Sequence, residues 1–339
     1  MSPKTFIIVA AAAVIAVLAA GLSLDRDRGY GLAAQTGERV FPELLDGVND
    51  VQTMVIEQPD GVTITLEHAM AGWSMKDRAG YPARAVKVRR TIFALAKLAY
   101  REPKTRRKEK FAKLGLRDPS EKGAVSSQAK LFDGGGKLVA DLIIGNSRIR
   151  KLGKTEGGIY FRLPGDEQTW LGTGDLDISA DRPNWLERKI VNLPRDRVRR
   201  VVIRHADGQT LSLSRATPEA GDFTLDDMPQ GKKLKNKSGP NGVGGALADL
   251  LLNDVGKDSA PFDAAATTTA DFTTFDGLSV RTRVTRRNGE FWLRIEASGK
   301  EAEAITARTA GWVYRIPDYA GASLTKRLED LIEDAKPKS

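Results

Sequence analysis

The sequence predicts an α+β protein made by tandem duplication of an antiparallel-sheet-plus-helix unit, behind a single N-terminal transmembrane helix. Repetition is the first observation, because the hairpin "MVIEQPDGVTITL" (54–66) returns as "VVIRHADGQTLSL" (201–213). Two further blocks return in the same order, at separations that grow only from about 147 to about 153 residues, which indicates a repeat of about 150 residues. Besides the repeated hairpin and these two blocks, a third observation is the uncharged run "FIIVAAAAVIAVLAAGLSL" (6–24), which predicts the membrane segment.

Each copy of the repeat begins with two β-rich runs that flank a turn, "PDG" in the first copy and "ADG" in the second. Glycine in such a turn tolerates a positive φ, so this pattern is typical of a hairpin. The residues shared by the two hairpins are Val55, Ile56, Asp60, Gly61, Thr63 and Leu66, which recur as Val202, Ile203, Asp207, Gly208, Thr210 and Leu213.

A helix is predicted after the first hairpin, in "ARAVKVRRTIFALAKLAY" (83–100), because Val88, Ile92 and Leu95 share one face at helical spacing. The matching block of the second copy, "GGALADLLLNDV" (244–255), also predicts a helix. So does "LTKRLEDLIEDA" near the C-terminus, which would place Leu324, Leu328, Leu331 and Ile332 on one face.

Alternating strands complete each copy, such as "KLVADLIIG" (137–145) in the first and "EFWLRIEAS" (290–298) in the second. A third matched block pairs "IYFRL" (159–163) with "VYRI" (313–316). The predicted organisation is therefore a cytoplasmic start (1–5), a membrane segment (6–24), a stalk (25–50), a first unit (51–196) and a second, diverged unit (197–335).

The apolar run 6–24 is long enough to cross most of a bilayer, at about 1.5 Å of rise per residue against about 30 Å of hydrocarbon. It predicts a single retained anchor, with a cleaved signal peptide as the alternative. Lys4 precedes the run, and this favours an orientation with the N-terminus inside. The bulk of the chain would then lie outside the cytoplasm.

Composition excludes some chemistry. The 339 residues include no cysteine, so disulfides, thiolate catalysis and cysteine metal sites are excluded. The net charge of +9 is spread along the chain, except in the basic connector "REPKTRRKEKFAK" (101–113). Few aromatic residues accompany these cations, so nucleic acid is not an expected partner. An anionic lipid or polymer could contact the connector, or it could be solvated. The candidate contacts are Lys104, Arg106, Arg107, Lys108 and Lys110.

No motif predicts catalysis, a metal site or a cofactor. His68 and His205 lack the neighbouring ligands that a zinc site or a Ser-His-Asp arrangement requires. The acidic stretch "DLDISAD" (175–181) lacks the glycine and glutamate of an EF-hand. The glycine-rich stretch "SGPNGVGGALADLL" (238–251) lacks the Gly-Lys-Ser/Thr ending of a P-loop. The prediction is therefore a protein that is not an enzyme.

Several motifs in order resemble the bacterial domain of unknown function 4340 family. They are Trp73, Tyr81-Pro82, Leu114-Gly115-Leu116, Asp118-Pro119 and Trp185-Leu186. The resemblance implies a single-pass protein of the bacterial inner membrane with its bulk in the periplasm. It also implies association with gliding-motility-type ABC transporter subunits, and it supplies no catalytic or binding residues.

Three functions follow as hypotheses. The first is a membrane-anchored accessory protein that binds transporter subunits. The second is a binding module for an anionic envelope polymer or lipid. The third is a hydrolase whose acid and base the sequence does not mark. The second unit lacks several motifs of the first, and this favours separate roles for the two units.

Overall fold

The structure is a computed structural model that describes residues 35–148, 157–174, 176–259 and 262–335. The predicted transmembrane segment 6–24 lies outside these residues, as does the first part of the predicted stalk. Within the described ranges, no helix has the length and apolar character that crossing a membrane requires. The fold is α+β, with mostly antiparallel sheets and short helices.

The chain divides into two compact units. Unit 1 runs up to Lys76 and resumes at Ala85–Ala180, while unit 2 comprises Asp77–Arg84 and the chain from Asp181 onward. The repeat boundary predicted at residues 196 and 197 concerns the sequence duplication and stays a prediction. The contacts place residues 181–196 with the second unit.

Strands and helices are numbered along the whole chain, so the short strand β4 of unit 2 interrupts the elements of unit 1. In chain order the first half contains β1 (Val51–Glu57), β2 (Thr63–Ala69), β3 (Gly72–Met75), β4 (Tyr81–Pro82), α1 (Ala85–Lys97), β5 (Ala99–Pro103), α2 (Phe111–Leu114), β6 (Ser127–Asp133), β7 (Leu138–Arg148), β8 (Gly158–Arg162) and β9 (Trp170–Thr173). In the sheet of unit 1 the strands lie in the order β3-β2-β1-β6-β7-β8-β9-β5, and neighbours are antiparallel.

The elements of the second half all belong to unit 2. They are β10 (Lys189–Val191), β11 (Val198–Arg204), β12 (Thr210–Ser214), β13 (Thr224–Leu225), β14 (Lys232–Leu234), α3 (Gly239–Gly244), β15 (Leu250–Leu251), β16 (Asp254–Lys257), β17 (Thr268–Thr274), β18 (Leu278–Arg287), β19 (Glu290–Gly299), α4 (Ala302–Thr309), β20 (Trp312–Ile316), α5 (Asp318–Leu324), α6 (Leu328–Leu331) and β21 (Ile332–Asp334). The large sheet has the order β13-β12-β11-β17-β18-β19-β20-β16, and β10 with β15 and β14 with β21 form two small sheets.

The two large sheets match strand for strand in this order. Their hairpins also match in register, since Met54 lies opposite Leu66 in unit 1 and Val201 lies opposite Leu213 in unit 2. Each first strand has an irregularity at the same place, between Val51 and Thr53 and between Val198 and Arg200. Register therefore assigns each residue of one hairpin a counterpart 147 positions along the chain.

Burial follows the alternation that the sequence predicts for these strands. In unit 1, Met54, Ile56, Ile64 and Leu66 are fully buried on the inner face of the sheet. The buried face of α1 includes Val88, Ile92 and Leu95, as its spacing predicts. Each such side chain contributes about 1.5–3 kcal/mol when it is removed from water, so this apolar face explains why the helix packs.

A short apolar segment covers part of the outer face of the unit 1 sheet. Phe111 and Leu116 pack on Ile143 of β7, and Arg162 donates from Nε to the carbonyl oxygen of Leu116 at 3.0 Å. Gly115 ends α2 at a φ of +69°, and a Cβ there would lie 2.6 Å from Asn146 Oδ1. The Leu-Gly-Leu motif is thus structural, because it folds this segment down onto the sheet.

Residues 77–84 have their own packing within unit 2. Arg78 donates from Nε to Asp254 Oδ1 at 2.6 Å and from Nη2 to Oδ2 at 2.8 Å. The buried ring of Tyr81 meets Trp312 edge-on, with 4.9 Å between ring centroids. The Tyr-Pro motif of the first sequence repeat therefore contributes to the core of unit 2.

Two helix predictions were wrong. In the stretch 244–255, α3 ends at Gly244, while Leu250 and Leu251 form β15 and Asp254 begins β16. Asp249 takes a left-handed φ of 48°, which breaks a helix. Near the C-terminus, α5 ends at Leu324, Leu328–Leu331 forms a single turn, and Ile332 begins β21.

The third matched block also takes unequal places in the sheets. "IYFRL" falls mainly in β8, which lies between β7 and β9, whereas "VYRI" falls in β20, the positional counterpart of β9. Alternating strands with aromatic residues resemble one another, so this local match did not identify the equivalent strands.

Candidate functional site

The basic connector joins β5 to α2 and contains the five predicted contact residues. Three of them have partners in unit 1. Lys104 pairs with Glu102, Arg106 donates from Nε to Gln168 Oε1 at 3.0 Å, and Lys108 Nζ lies 3.4 Å from Glu167 Oε1. The backbone is also fixed, since the amide of Lys104 donates to the carbonyl oxygen of Thr169 at 2.8 Å.

Arg107 and Lys110 are exposed and make no ion pair with a described residue. The connector thus offers fewer uncompensated cations than its sequence indicates. Its contact with an anionic partner stays a prediction.

The other sequence motifs have structural roles where they are described. Asp177 pairs with Lys87 at 2.7 Å, while Asp175 lies outside the described residues. In the glycine-rich stretch, Asn241 Oδ1 accepts a hydrogen bond from the amide of Phe223 at 2.9 Å. Across the part of the chain that the structure describes, no group of three His, Cys, Asp or Glu side chains could hold a metal ion.

A cavity of unit 1 lies beside β3, and we call it the unit 1 cleft. Its volume is about 480 Å³, within the usual range of small-molecule sites. Its lining residues are Val48, Asn49, Val51, His68, Trp73, Arg89, Arg90, Ile92 and Phe93.

Strand and helix residues make the floor of the unit 1 cleft apolar. Val51, Trp73 and Ile92 are buried, and the ring of His68 lies against Trp73 with 5.1 Å between centroids. His68 Nδ1 lies 3.2 Å from Gln52 Oε1, which fixes the imidazole.

Cations stand beside this apolar floor. Arg89 and Arg90 of α1 are exposed, and neither has an ion pair or a side-chain hydrogen bond with a described residue. Phe93 is 46 % exposed, and Lys97 Nζ lies 4.4 Å from the centroid of its ring. The cleft therefore combines an apolar floor with uncompensated positive charge.

The corresponding corner of unit 2 is filled by protein. Register places Arg215 at the position of His68, and this side chain is only 5 % exposed. It donates hydrogen bonds to the carbonyl oxygens of Arg195, Asp196, Val198, Pro218 and Ala220.

Phe223 completes this filling, with the Arg215 guanidinium 5.0 Å from its ring centroid. A Cβ on Gly244 of α3 would lie 2.2 Å from Phe223 Cε2, so helix and ring are in close contact. Buried side chains of Arg215 and Phe223 thus occupy this corner.

The outer face of the large sheet in unit 2 is the second candidate surface, and we call it the unit 2 face. It contains a shallow depression of about 560 Å³ whose lining includes Arg200, Arg204, Asp271, Arg281 and Glu296. Asp271 pairs with both Arg204 and Arg281, and Arg200 pairs with Asp226 at 3.0 Å. Glu296 pairs with Arg283 at 2.7 Å.

The charges of this face are opposite to those at the same positions of unit 1. In unit 1, Glu57 pairs with Lys130, and Lys130 lies opposite Asp141 on the neighbouring strand. In unit 2, register places Arg204 at the position of Glu57, Asp271 at that of Lys130 and Arg281 at that of Asp141.

The electrostatic environments of the two carboxylates differ accordingly. Burial raises the pKa of Asp141, and a hydrogen bond from Gln128 and the charge of Lys130 offset this only in part. Burial also acts on Asp271, but Arg281 and Arg204 hold its pKa below the ordinary value. The unit 2 face therefore exposes two arginines, Arg204 and Arg281, whose positions are fixed by ion pairs with the partly buried Asp271.

Sequence reasoning did not single out either surface. The helix prediction used Val88, Ile92 and Leu95 and ignored the opposite side of α1. A signal was present there, since Val86, Arg89, Arg90 and Phe93 recur at helical spacing and Val86 is 66 % exposed. The unit 2 face could have been found from arginines at alternate strand positions, as in Arg281 and Arg283.

Comparison with known proteins gives one match. No curated protein and no solved structure matches the chain. A family model described as "Domain of unknown function (DUF4340)" matches residues 73–270, which is more than half of the chain. The chain therefore belongs to the DUF4340 domain-of-unknown-function family.

Proposed function

We propose that the protein is a membrane-anchored accessory protein that acts outside the cytoplasm and binds subunits of an ABC-type transporter. In this proposal residues 6–24 hold it in the bacterial inner membrane, and it is not an enzyme. The two units arose by tandem duplication, which their common strand order and matching strand irregularities support. Their surfaces then diverged for separate roles.

The observation that carries the proposal is the open, arginine-rich unit 2 face. Ile143, which lies under Phe111 and Leu116 in unit 1, has Arg283 as its counterpart in unit 2. Arginine is enriched in protein interfaces because its planar guanidinium makes several directed hydrogen bonds.

Pairing prepares this face for recognition. Arg204 and Arg281 are exposed but share Asp271, so less side-chain entropy is lost when a partner's carboxylate or carbonyl groups dock. A protein partner with complementary charge would be steered to this face and selected by it.

The experiment is a gentle-detergent purification of the tagged full-length chain from its native membrane, followed by mass spectrometry. We expect transporter subunits to be recovered with the full chain. They should be lost from a variant that lacks residues 51–335 but keeps the N-terminal segment. Recovery of no partner at low salt would contradict the proposal.

Binding of an anionic polymer or lipid is the second candidate, which is favoured by the exposed Arg107 and Lys110, because neither makes an ion pair with a described residue. It predicts that liposomes with anionic lipid capture the protein in a salt-sensitive way. Changing Arg106, Arg107 and Lys108 to glutamine should weaken this capture, and unchanged capture would contradict the role of the connector.

A further inference from the structure

We infer that the unit 1 cleft binds an amphiphilic anion, a molecule with an apolar body and one phosphate or carboxylate group. This goes beyond the transporter proposal, because the cleft lies within unit 1 and uses no residue of the unit 2 face. The ligand could be a soluble aromatic or aliphatic anion or a lipid with an anionic headgroup.

The floor of the cleft supplies the first part of the argument. A buried indole beside Val51 and Ile92 forms an apolar surface at the base of a cavity of about 480 Å³. The free energy of the complex falls when an apolar group displaces water from such a surface, so the floor fits an aromatic or aliphatic body.

Charge supplies the second part. Arg89 and Arg90 of α1 both line the cleft, and neither makes an ion pair with a carboxylate among the described residues. Both guanidinium groups are cationic, so they attract an anion that enters the cleft. Arginine binds phosphate and carboxylate groups through paired hydrogen bonds, so the site fits either group.

Unit 2 supplies the third part, because it shows how the same fold closes this corner. There a buried Arg215 takes the place of His68, and Phe223 takes the place of Trp73. The carbonyl oxygens of Arg195 and Asp196 accept hydrogen bonds from Arg215, and the register counterparts of these residues are Val48 and Asn49 of the cleft. An open corner is therefore a property of unit 1 and not a requirement of the architecture.

Calorimetry on the full-length chain, held in nanodiscs of zwitterionic lipid, tests the inference. The probes are 2-naphthyl phosphate, dihexanoyl phosphatidic acid, uncharged 2-naphthol and inorganic phosphate. We expect saturable binding of at least one of the first two probes, at least tenfold tighter than binding of 2-naphthol or inorganic phosphate. Preference for the naphthyl compound would indicate a soluble ligand, and preference for the phosphatidic acid a lipid.

Two variants locate the binding. Arg89→Glu with Arg90→Glu should weaken it at least tenfold, while the control Lys113→Glu with Lys122→Glu, which changes the net charge equally, should leave it within twofold. His68→Arg with Trp73→Phe copies the filled corner of unit 2 and should also abolish binding.

Thermal unfolding of each variant checks that it is folded. Absence of saturable binding for both amphiphilic probes would overturn the inference. So would equal binding by the Arg89→Glu, Arg90→Glu variant, or inorganic phosphate that binds as tightly as the amphiphiles.

Discussion

The corner beside β3 in unit 1 and the matching corner in unit 2 are formed by equivalent strands. The first contains a cleft, whereas the second is occupied by buried side chains. In unit 1 the small imidazole of His68 lies in a cleft next to two arginines that have no ion pair among the described residues. In unit 2 the guanidinium of Arg215 enters the corner and satisfies backbone carbonyl groups there. The comparison shows that one fold can hold an arginine as an internal support or leave arginines available to a ligand.

The outer faces of the two sheets differ in a second way. In unit 1 an apolar segment covers Ile143, whereas in unit 2 the face is open and its charged positions have opposite signs. Acidic and basic residues have exchanged positions between the two faces, and each face still forms ion pairs. The charge at each matching surface position is therefore reversed. Under the proposed function, this difference between the faces would serve recognition of a partner by unit 2.

Removal of Arg215 should give the largest effect on this comparison. Arg215→Ala removes the side chain that donates to five backbone carbonyl oxygens and opens a cavity, so it should cost about 4 kcal/mol of unfolding free energy. His68→Ala, its counterpart in unit 1, should cost less than about 1 kcal/mol.

Hydrogen exchange of peptides from β11 and β1, together with denaturant unfolding, would measure these losses unit by unit. Similar small losses for the two variants would show that Arg215 does not support the corner.

Gly244 tests how tightly α3 packs on the filled corner. Gly244→Ala would place a Cβ 2.2 Å from Phe223, and this overpacking should cost about 2–3 kcal/mol. The control is Gly242→Ala in the same helix, where no atom lies within 4 Å, and it should raise stability by up to about 1 kcal/mol. Equal melting temperatures for the two variants would contradict the close packing.

The Arg78–Asp254 pair should contribute about 2 kcal/mol to unit 2, because Arg78→Ala leaves a partly buried carboxylate unpaired. The exposed Arg84→Ala is the control. Burial acts to raise the pKa of Asp254, but the hydrogen bonds from Arg78 hold it below the ordinary 3.8. The contribution is therefore present above about pH 4 and is lost as pH falls below that value.

Unfolding measured at pH 7 and at successively lower pH would show this loss in the native chain. The Arg78→Ala variant should lack that component, and an unchanged acid dependence would count against the pair.

Alkaline pH should weaken unit 2 through Tyr81. Burial raises the pKa of Tyr81 to about 12, so the folded state holds the phenol neutral while the unfolded chain ionises near 10. The stabilisation is complete below pH 10 and is lost as pH rises towards 12, at about 1 kcal/mol by pH 11. Burial also raises the pKa of Tyr314, so Tyr81→Phe should reduce this dependence without abolishing it in equilibrium unfolding between pH 8 and 11, and an unaltered slope would contradict the prediction.

Removing one charge from the ion pairs on each outer sheet face, Lys130–Glu57 in unit 1 and Asp271–Arg204 in unit 2, should have the smallest effect on stability. Asp271→Asn in unit 2 and Lys130→Met in unit 1 should each cost less than about 1 kcal/mol, because these pairs are partly exposed. Chemical denaturation measures both. A loss above about 2 kcal/mol for either variant would mean that the outer face is structural and would weaken its assignment to recognition.

The sequence predicted the features that depend on local pattern. The repeated hairpins and the buried face of α1 follow from alternation and helical spacing, and the structure contains both. The helix expected at 244–255 failed because Leu247, Leu250 and Leu252 are buried by turns and short strands, which apolar spacing alone does not distinguish from a helix.

The two candidate surfaces could not be read from single residues. Arg89 and Arg90 look like ordinary solvated helix residues until the fold brings His68 and Trp73 beside them. Charge inversion between Lys130 and Asp271 becomes visible only when strand register aligns the two sheets. Both features are products of long-range pairing, which a single sequence does not encode in its local pattern.

One measurement tests the separation of roles most directly. The tagged full-length chain, its Arg204→Glu, Arg281→Glu variant and its Arg89→Glu, Arg90→Glu variant would be purified from native membranes in parallel. An Arg308→Glu, Lys237→Glu variant controls for the change of charge in unit 2. We predict that the unit 2 face variant loses co-purifying transporter subunits at least tenfold, while the cleft variant and the control retain them within twofold. Equal loss or equal retention in the face and cleft variants would contradict the account.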